Sequence, residues 1–541
     1  MPQLAPYIFE LLHQQGVQHS FGIPGDFALT LYDALAESKI EPIIMTHEPG
    51  AGFAADAYSR IRGLGLAVVT YSVGGLNMVN AVAGAYAEKS PLIVLSGSPG
   101  VKERQEKNLL HHKIKTFDTQ KQIYEEITLY AAILDNPVTA IEQIHRAIDY
   151  AITFKRPVYL EIPRDMVYAE IENGKHLPPP VKQTDPEALI EAVTESLAML
   201  HQAKSPVLLV GVELHRFGLQ EKVLSLAERL GIPVCSTMLG KSVFPESHPQ
   251  YSGIYNGEAG DPYVRNLVEE SDCLLMLGVF MSDINLGMFS AHLEPKNTVY
   301  VTSEHIALKH HEYPNVLFED FVTTLQSSKD LPHYDSSSIA PMQPRVAPAD
   351  GAISMSGVLY ELNQFIDRNT LLVTDVGDTL FAANDIKMQS GTSFLCPAFY
   401  ASMGFGVPGV IGAQLADPFR RAIALVGDGA FQMTGMELLT AKQLGLNPIV
   451  IVINNGSFTS LRSMAHEQAD FVRIPTIDYA QLAILLGGTG FVVETSKQLH
   501  QALSQSRVSE SFSIIDVRLL PEDISPALQR MKDLFAKTLK G

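Results

Sequence analysis

A chain of 541 residues is too long for one hydrophobic core, and its length predicts three to four domains. Its composition, 46% hydrophobic and 18% charged, is that of a packed globular protein, and 59 acidic against 40 basic residues give a net charge of −19, which argues against a nucleic-acid partner. Without a basic leader or a run of about 18 apolar residues, neither secretion nor a membrane span is expected, and the predicted location is cytoplasmic.

Short β-rich apolar runs alternate with segments of helical period along the whole chain, which predicts an α/β fold of doubly wound domains with parallel sheets. The first turn of note is Gly22-Ile23-Pro24-Gly25-Asp26. A short strand at 42–46 then runs into His47-Glu48 and a helical stretch at 51–60. Glu48 taken alone is as consistent with a carboxylate favoured near a helix N-terminus as with chemistry. Buried strands follow at 66–71 and 92–96, then the pair His111-His112, which by itself could be a surface-loop feature.

Two segments read as linkers: residues 171–186, with Pro178-Pro179-Pro180, and residues 327–351, with Ser336-Ser337-Ser338 and further prolines. They divide the chain into expected domains at 1–172, 187–328 and 352–541. The middle part has strands at 207–210, around Val234 and at 273–277. Cys235, Cys273 and Cys396 lie far apart, in or beside apolar strands, without metal spacing or a disulfide framework.

In the last part a strand at 371–374 precedes Gly377-Asp378-Thr379, and Ala401-Ser402-Met403-Gly404-Phe405 follows. A buried strand at 422–426 ends in Gly427-Asp428-Gly429-Ala430 and a helix, and a second strand at 448–453 ends in Asn454-Asn455. Gly-Asp-Gly alone is an ordinary turn. Framed as a βαβ unit, however, both polar ends fall at the carboxyl edge of a parallel sheet, where such sheets bind ligands. Glycines there admit a diphosphate close to backbone N–H groups, and Asp428 and Asn455 offer hard oxygens to a divalent ion. The strands at 66–71 and 92–95 echo those at 422–426 and 448–451 around a glycine turn and a helix, which generic βαβ grammar could also produce.

The glycine turn and the distant asparagine pair resemble the thiamine diphosphate motif. Glu48 after its strand, the GxPGD segment ending in Asp26, and His111-His112 are similar to the matching segments of the 2-oxo acid decarboxylases, closest to the phenylpyruvate and indolepyruvate group. The resemblance implies thiamine diphosphate and Mg²⁺ as cofactors, a small 2-oxo acid as substrate, and a homodimer or homotetramer with the site between subunits. It implies decarboxylation by way of the coenzyme's ylide and enamine, with Glu48 on the aminopyrimidine ring and Asp26, His111 and His112 handling protons. Gly377, Asp378, Thr379, Gly427, Asp428, Gly429 and Ala430 would flank the diphosphate. Asp428, Asn455 and the carbonyl of Ser457 would hold the metal, and the Ala401 carbonyl would meet the pyrimidine amine. Met403, otherwise an ordinary core filler, would prop the bent cofactor. Leu461 stands where pyruvate decarboxylases resemble one another in carrying a glutamate, and Ile284 and Leu380 stand where ethanol-forming relatives have large aromatics. The resemblance therefore implies a roomier, more apolar substrate pocket. The competing readings are a carboligase of the acetohydroxyacid synthase type, for which the middle part lacks a glycine cluster, and a catalytically silent cofactor-binding protein.

Overall fold

The computed structural model describes residues 1–106, 109–172, 183–343, 351–464 and 470–538; the expected linker prolines Pro178-Pro179-Pro180 lie outside them. The first sheet joins β1 (His19–Gly22), β2 (Glu41–Ile44), β3 (Gly65–Val69), β4 (Leu92–Ser98), β5 (Tyr130–Ile133) and β6 (Val158–Pro163) in the order β2-β1-β3-β4-β6-β5. The second contains β7 (Pro206–Val210), β8 (Val234–Ser236), β9 (Tyr251–Ile254), β10 (Cys273–Leu277), β11 (Thr298–Val301), β12 (Ile306–Leu308) and β13 (His311–Glu312), ordered β13-β12-β11-β10-β7-β8-β9. The third contains β14 (Thr370–Thr374), β15 (Ser393–Leu395), β16 (Arg421–Gly427), β17 (Ile449–Asn454), β18 (Thr489–Val493) and β19 (Ser513–Arg518), ordered β15-β14-β16-β17-β19-β18.

The expected fold class is borne out, with one difference in the middle sheet. Both outer sheets pair in parallel throughout, whereas β12 and β13 turn antiparallel on the second. Residues 302–305 between β11 and β12 are closed by a hydrogen bond from the Thr302 N–H to the His305 carbonyl of 2.8 Å, and so short a connection cannot make the crossover a parallel pair needs. The echo between the outer thirds is topological as well. β3 and β4 occupy the same places in the first sheet as β16 and β17 in the third.

The strands β3, β10 and β14 are buried at every residue, and continuous apolar runs of this kind are what helices on both faces require. One core cluster spans the first and third sheets, including Phe53, Ala54, Phe405, Val410 and Ile411. It centres on the helix Glu48–Arg62 packed along the helix Gly406–Ala416. At Gly412 an added Cβ would lie 2.0 Å from the Ala54 carbonyl oxygen, so only glycine permits this approach. Among the described residues no helix is long and apolar enough to cross a membrane.

Candidate active site

In the third sheet the chain order reverses between β14 and β16, which places a crevice beyond their carboxyl ends. Beyond β14, Gly377 adopts φ +120°, a conformation side chains resist, before the short helix Asp378–Ala382 begins. Beyond β16, Gly427 leads into the helix Asp428–Thr434, and β17 delivers Asn454 and Asn455 beside it. The result is a cleft of about 240 Å³. It brings together Gly377, Asp378, Thr379, Ala401, Met403, Gly427, Asp428, Gly429, Ala430, Asn455, Ser457 and Leu461, and its walls come wholly from residues 376–461.

Asp428 is 1% exposed. Its Oδ1 accepts from the Gly429 N–H (2.8 Å), and its Oδ2 accepts from the N–H groups of Asn455 (3.1 Å) and Gly456 (2.6 Å). Burial outweighs these donors and pushes the carboxyl up to about 6. Asn455 Oδ1 accepts from the Ser457 N–H at 3.2 Å, while its Nδ2 donates to Thr459 Oγ1 at 2.7 Å. These residues fit a metal-bridged diphosphate. A carboxylate has about four lone-pair sites and the backbone occupies three here, which leaves one for a cation. At Gly377 and Gly427 an added Cβ would meet nothing within 4 Å, so both glycines keep the backbone open to a ligand.

Asp375, which no sequence pattern marked, fixes the segment that carries Ala401 and Met403. Its Oδ1 accepts from the N–H groups of Val376 (2.8 Å) and Gly404 (3.0 Å), and its Oδ2 accepts from Gly406 (2.6 Å). Burial pushes this carboxyl up to about 6 despite the three donors. Two residues of the first third hold the other end: Glu88 Oε1 accepts from the N–H groups of Phe399 (2.8 Å) and Tyr400 (3.0 Å), and Arg60 donates to the Cys396 carbonyl (2.8 Å). Between these anchors Ala401 takes φ +57°, unusual for a residue with a Cβ. Strain of this kind persists only where the surroundings over-determine it.

Three expected residues are placed differently from a simple wall. Asp378 borders the cleft, but its carboxylate accepts from the N–H (2.9 Å) and Oγ (2.5 Å) of Ser525. Leu380 is 1% exposed inside a core cluster, and Ile284 packs against that same cluster; neither lines the cleft.

The remaining expected residues gather at the carboxyl edge of the first sheet. Glu48 begins its helix, and Asn77 Nδ2 donates to Glu48 Oε2 (2.8 Å) while also meeting His47 Nε2 (2.7 Å). Glu437, from the third part of the chain, accepts from the N–H groups of Thr46 (2.9 Å) and His47 (3.2 Å) and so fixes the approach to Glu48. Asp26 Oδ2 lies 2.5 Å from His111 Nε2, whose ring stacks on Phe27 at 4.8 Å and meets His112 edge-on at 4.7 Å. Burial alone would raise the Asp26 carboxyl, but the hydrogen bond and charge of His111 hold it below the usual range. Gly25 is pressed against Thr70, where an added Cβ would come within 2.5 Å, and Gly74 faces both Thr70 and Glu48. Asn77, Thr70 and Glu437 carry no signal in a single sequence, because ordinary polar residues in helices and turns look the same.

Comparison with known proteins bears on both groups of residues. Residues 2–123 match the thiamine pyrophosphate enzyme N-terminal TPP binding domain, 193–325 the central domain, and 375–517 the C-terminal TPP binding domain. The chain is 40% identical over 550 residues to an indole-3-pyruvate decarboxylase of Azospirillum brasilense, covering 100% of this chain and 98% of that protein. It is 29% identical over 505 residues to pyruvate decarboxylase isozyme 1 of Saccharomyces cerevisiae, with 90% and 89% covered. It is also 28% identical over 554 residues to a thiamine metabolism regulatory protein of the same yeast, with 97% and 90% covered. With all three family domains in order and likeness running the full length, the chain belongs to the thiamine diphosphate-dependent 2-oxo acid decarboxylases, and thiamine diphosphate is its cofactor.

Proposed function

We propose that this chain catalyses non-oxidative decarboxylation of bulky 2-oxo acids to the aldehyde and CO₂. The substrates would be aryl acids such as phenylpyruvate and indolepyruvate, or medium and branched-chain ones. The observation that carries this reading is Leu461, half exposed and on the wall of the Asp428 cleft, where an aliphatic side chain in place of a charged one suits apolar substrate groups. Leu380 and Ile284, aliphatic where ethanol-forming relatives carry large aromatics, would add to it only where the substrate's side chain reaches beyond this cleft. The 40% identity to a protein named for indole-3-pyruvate, against 29% for one named for pyruvate, points the same way.

Bound in the cleft, thiamine diphosphate supplies the carbon nucleophile and electron sink that loss of CO₂ requires. Asp428, Asn455 and the Ser457 carbonyl would hold Mg²⁺, with Gly377 to Thr379 and Gly427 to Ala430 around the phosphates. Met403 would support the bent cofactor, and Ala401 would present its carbonyl from a preset backbone. Asn77 engages Glu48 Oε2 and leaves Oε1 to hold a proton at the cofactor ring. Asp26 and His111 are in hydrogen-bond contact, with His112 edge-on beside them, and would pass a proton to the departing product. None of the residues lining the Asp428 cleft comes from the Glu48 edge, so we place the working site between subunits of a homodimer or homotetramer in the cytoplasm. We take residues 1–172, 187–328 and 352–541 as the domains, since each range encloses one sheet.

The test is aldehyde formation, coupled to an alcohol dehydrogenase, by the full chain supplied with thiamine diphosphate and Mg²⁺. The expected outcome is a kcat/KM for phenylpyruvate or indolepyruvate above that for pyruvate. The margin per added methylene would be modest, about 10-fold to 200-fold. Equal or better use of pyruvate would overturn the pocket argument, and no turnover of any 2-oxo acid would favour a silent cofactor-binding protein.

A further inference from the structure

Beyond β19 the chain does not leave the third sheet. The Leu519 N–H donates to the Asn454 carbonyl (3.1 Å), so the segment starts against the end of β17, beside Asn455. Glu522 then accepts from Arg462 (2.9 Å), the neighbour of Leu461 on the helix Thr459–Met464. Asp523 accepts from the Met355 N–H (3.1 Å). Ser525, fully buried, donates from both its N–H and its hydroxyl to Asp378, whose neighbours Gly377 and Thr379 line the opposite wall of the cleft. The same hydroxyl accepts from the Leu528 N–H (3.0 Å) and thereby starts the helix Pro526–Thr538. That helix is held further off by Arg530, which donates to the Ala259 carbonyl of the middle part (3.1 Å). A single stretch of chain is thus fastened to the turn after β14, to the end of β17 and to the helix that carries Leu461.

Each oxygen of the Asp378 carboxylate already accepts a hydrogen bond from Ser525, which ties the side chain to the C-terminal segment. We propose that Asp378 and Ser525 are positioning residues: their paired hydrogen bonds clamp the Gly377–Thr379 turn against the C-terminal segment and so preset the cleft to the width of the cofactor's diphosphate. Arg462 and Glu522 make a weaker, exposed counterpart on the other wall. The inference rests on the cofactor lying in this cleft, but it concerns how the walls are held rather than what touches the phosphates.

Calorimetric titration of thiamine diphosphate into the full-length apo protein, at saturating Mg²⁺, tests it. Ser525→Ala should raise the Kd about tenfold, the scale of one lost buried hydrogen bond. The kcat at saturating cofactor should stay within about twofold, because the chemistry is untouched once the cofactor is bound. Ser525→Thr, which keeps the hydroxyl, should restore most of the affinity. Amide hydrogen exchange at residues 376–379 of the apo protein should quicken in Ser525→Ala. Glu522→Gln, at the surface and harmless to folding, should raise the Kd about twofold, in keeping with an exposed ion pair. A wild-type Kd and wild-type exchange at 376–379 in Ser525→Ala would overturn the inference, even if the melting temperature fell. Failure of the wild-type chain to bind thiamine diphosphate would instead sink the cofactor assignment, so the two failures are distinct.

Discussion

Glu48 shows how much work a single carboxylate can be given by its neighbours. Asn77 orients it, Glu437 fixes the backbone just before it, and Gly74 leaves its second oxygen approachable. Glu48→Gln keeps the shape and an acceptor oxygen for Asn77 but cannot give or take a proton at the cofactor ring. It should cut kcat by at least about 10²-fold while the fold and its melting temperature stay close to wild type. Residual turnover within a few-fold of wild type would remove Glu48 from the proton-transfer role.

At the scale of elements, the segment from Cys396 to Gly406 is the least self-sufficient part of the site. It has little regular structure of its own and is held by Asp375 at one end and by Arg60 and Glu88 at the other. The Asp375 carboxyl is pushed up from 3.8 to about 6 in the folded chain because burial penalises its charge. A folded value above the unfolded one means that its contribution is fully present below about pH 4 and is lost as pH rises through 6. Relative to Asp375→Asn, which does not titrate, the wild-type apo protein should lose about 2 kcal/mol between pH 4 and pH 7. Denaturant unfolding of both proteins at those two values measures it. A difference that stays flat with pH would show that the carboxylate is not desolvated as described.

The same element explains what could be read from sequence and what could not. Of the outer sheets, β3, β4, β14, β16 and β17 were legible because parallel strands covered on both faces are unbroken apolar runs, and Gly427, Asp428 and Asn455 stood out because each ends such a run. The middle sheet's antiparallel edge was not legible, since β12 and β13 have only three and two residues and no period to detect. Asp375, Glu88 and Ser525 were missed for a different reason. Each acts on backbone groups distant in sequence, and a polar residue poised to meet a far-off N–H looks like any other. Asp378 was read as part of the diphosphate turn; the turn does border the cleft, yet the side chain is committed to Ser525.

On the scale of the whole molecule, the division of the candidate site into two half-sites has a consequence that can be measured without a structure. If Glu48 of one subunit serves the Asp428 cleft of another, two inactive variants can repair each other. Dimers mixed from Glu48→Gln and Asp428→Ala chains would hold one intact site and one doubly broken site. Random exchange of equal amounts should then recover about a quarter of wild-type activity from two inactive preparations. Activity that stays at the level of the separate variants, with hybrid formation verified by native mass spectrometry, would place both halves of each site within one chain.

The most direct measurement is calorimetric titration of thiamine diphosphate into the metal-stripped chain, with and without added Mg²⁺, for the wild type and for Asp428→Ala. Saturable binding of one cofactor per chain is expected only in the wild type with Mg²⁺, with affinity at least about 100-fold weaker when either the ion or the carboxylate is removed. Binding of equal strength without the ion, or in Asp428→Ala, would contradict a cofactor anchored through its phosphates at the turn after β16.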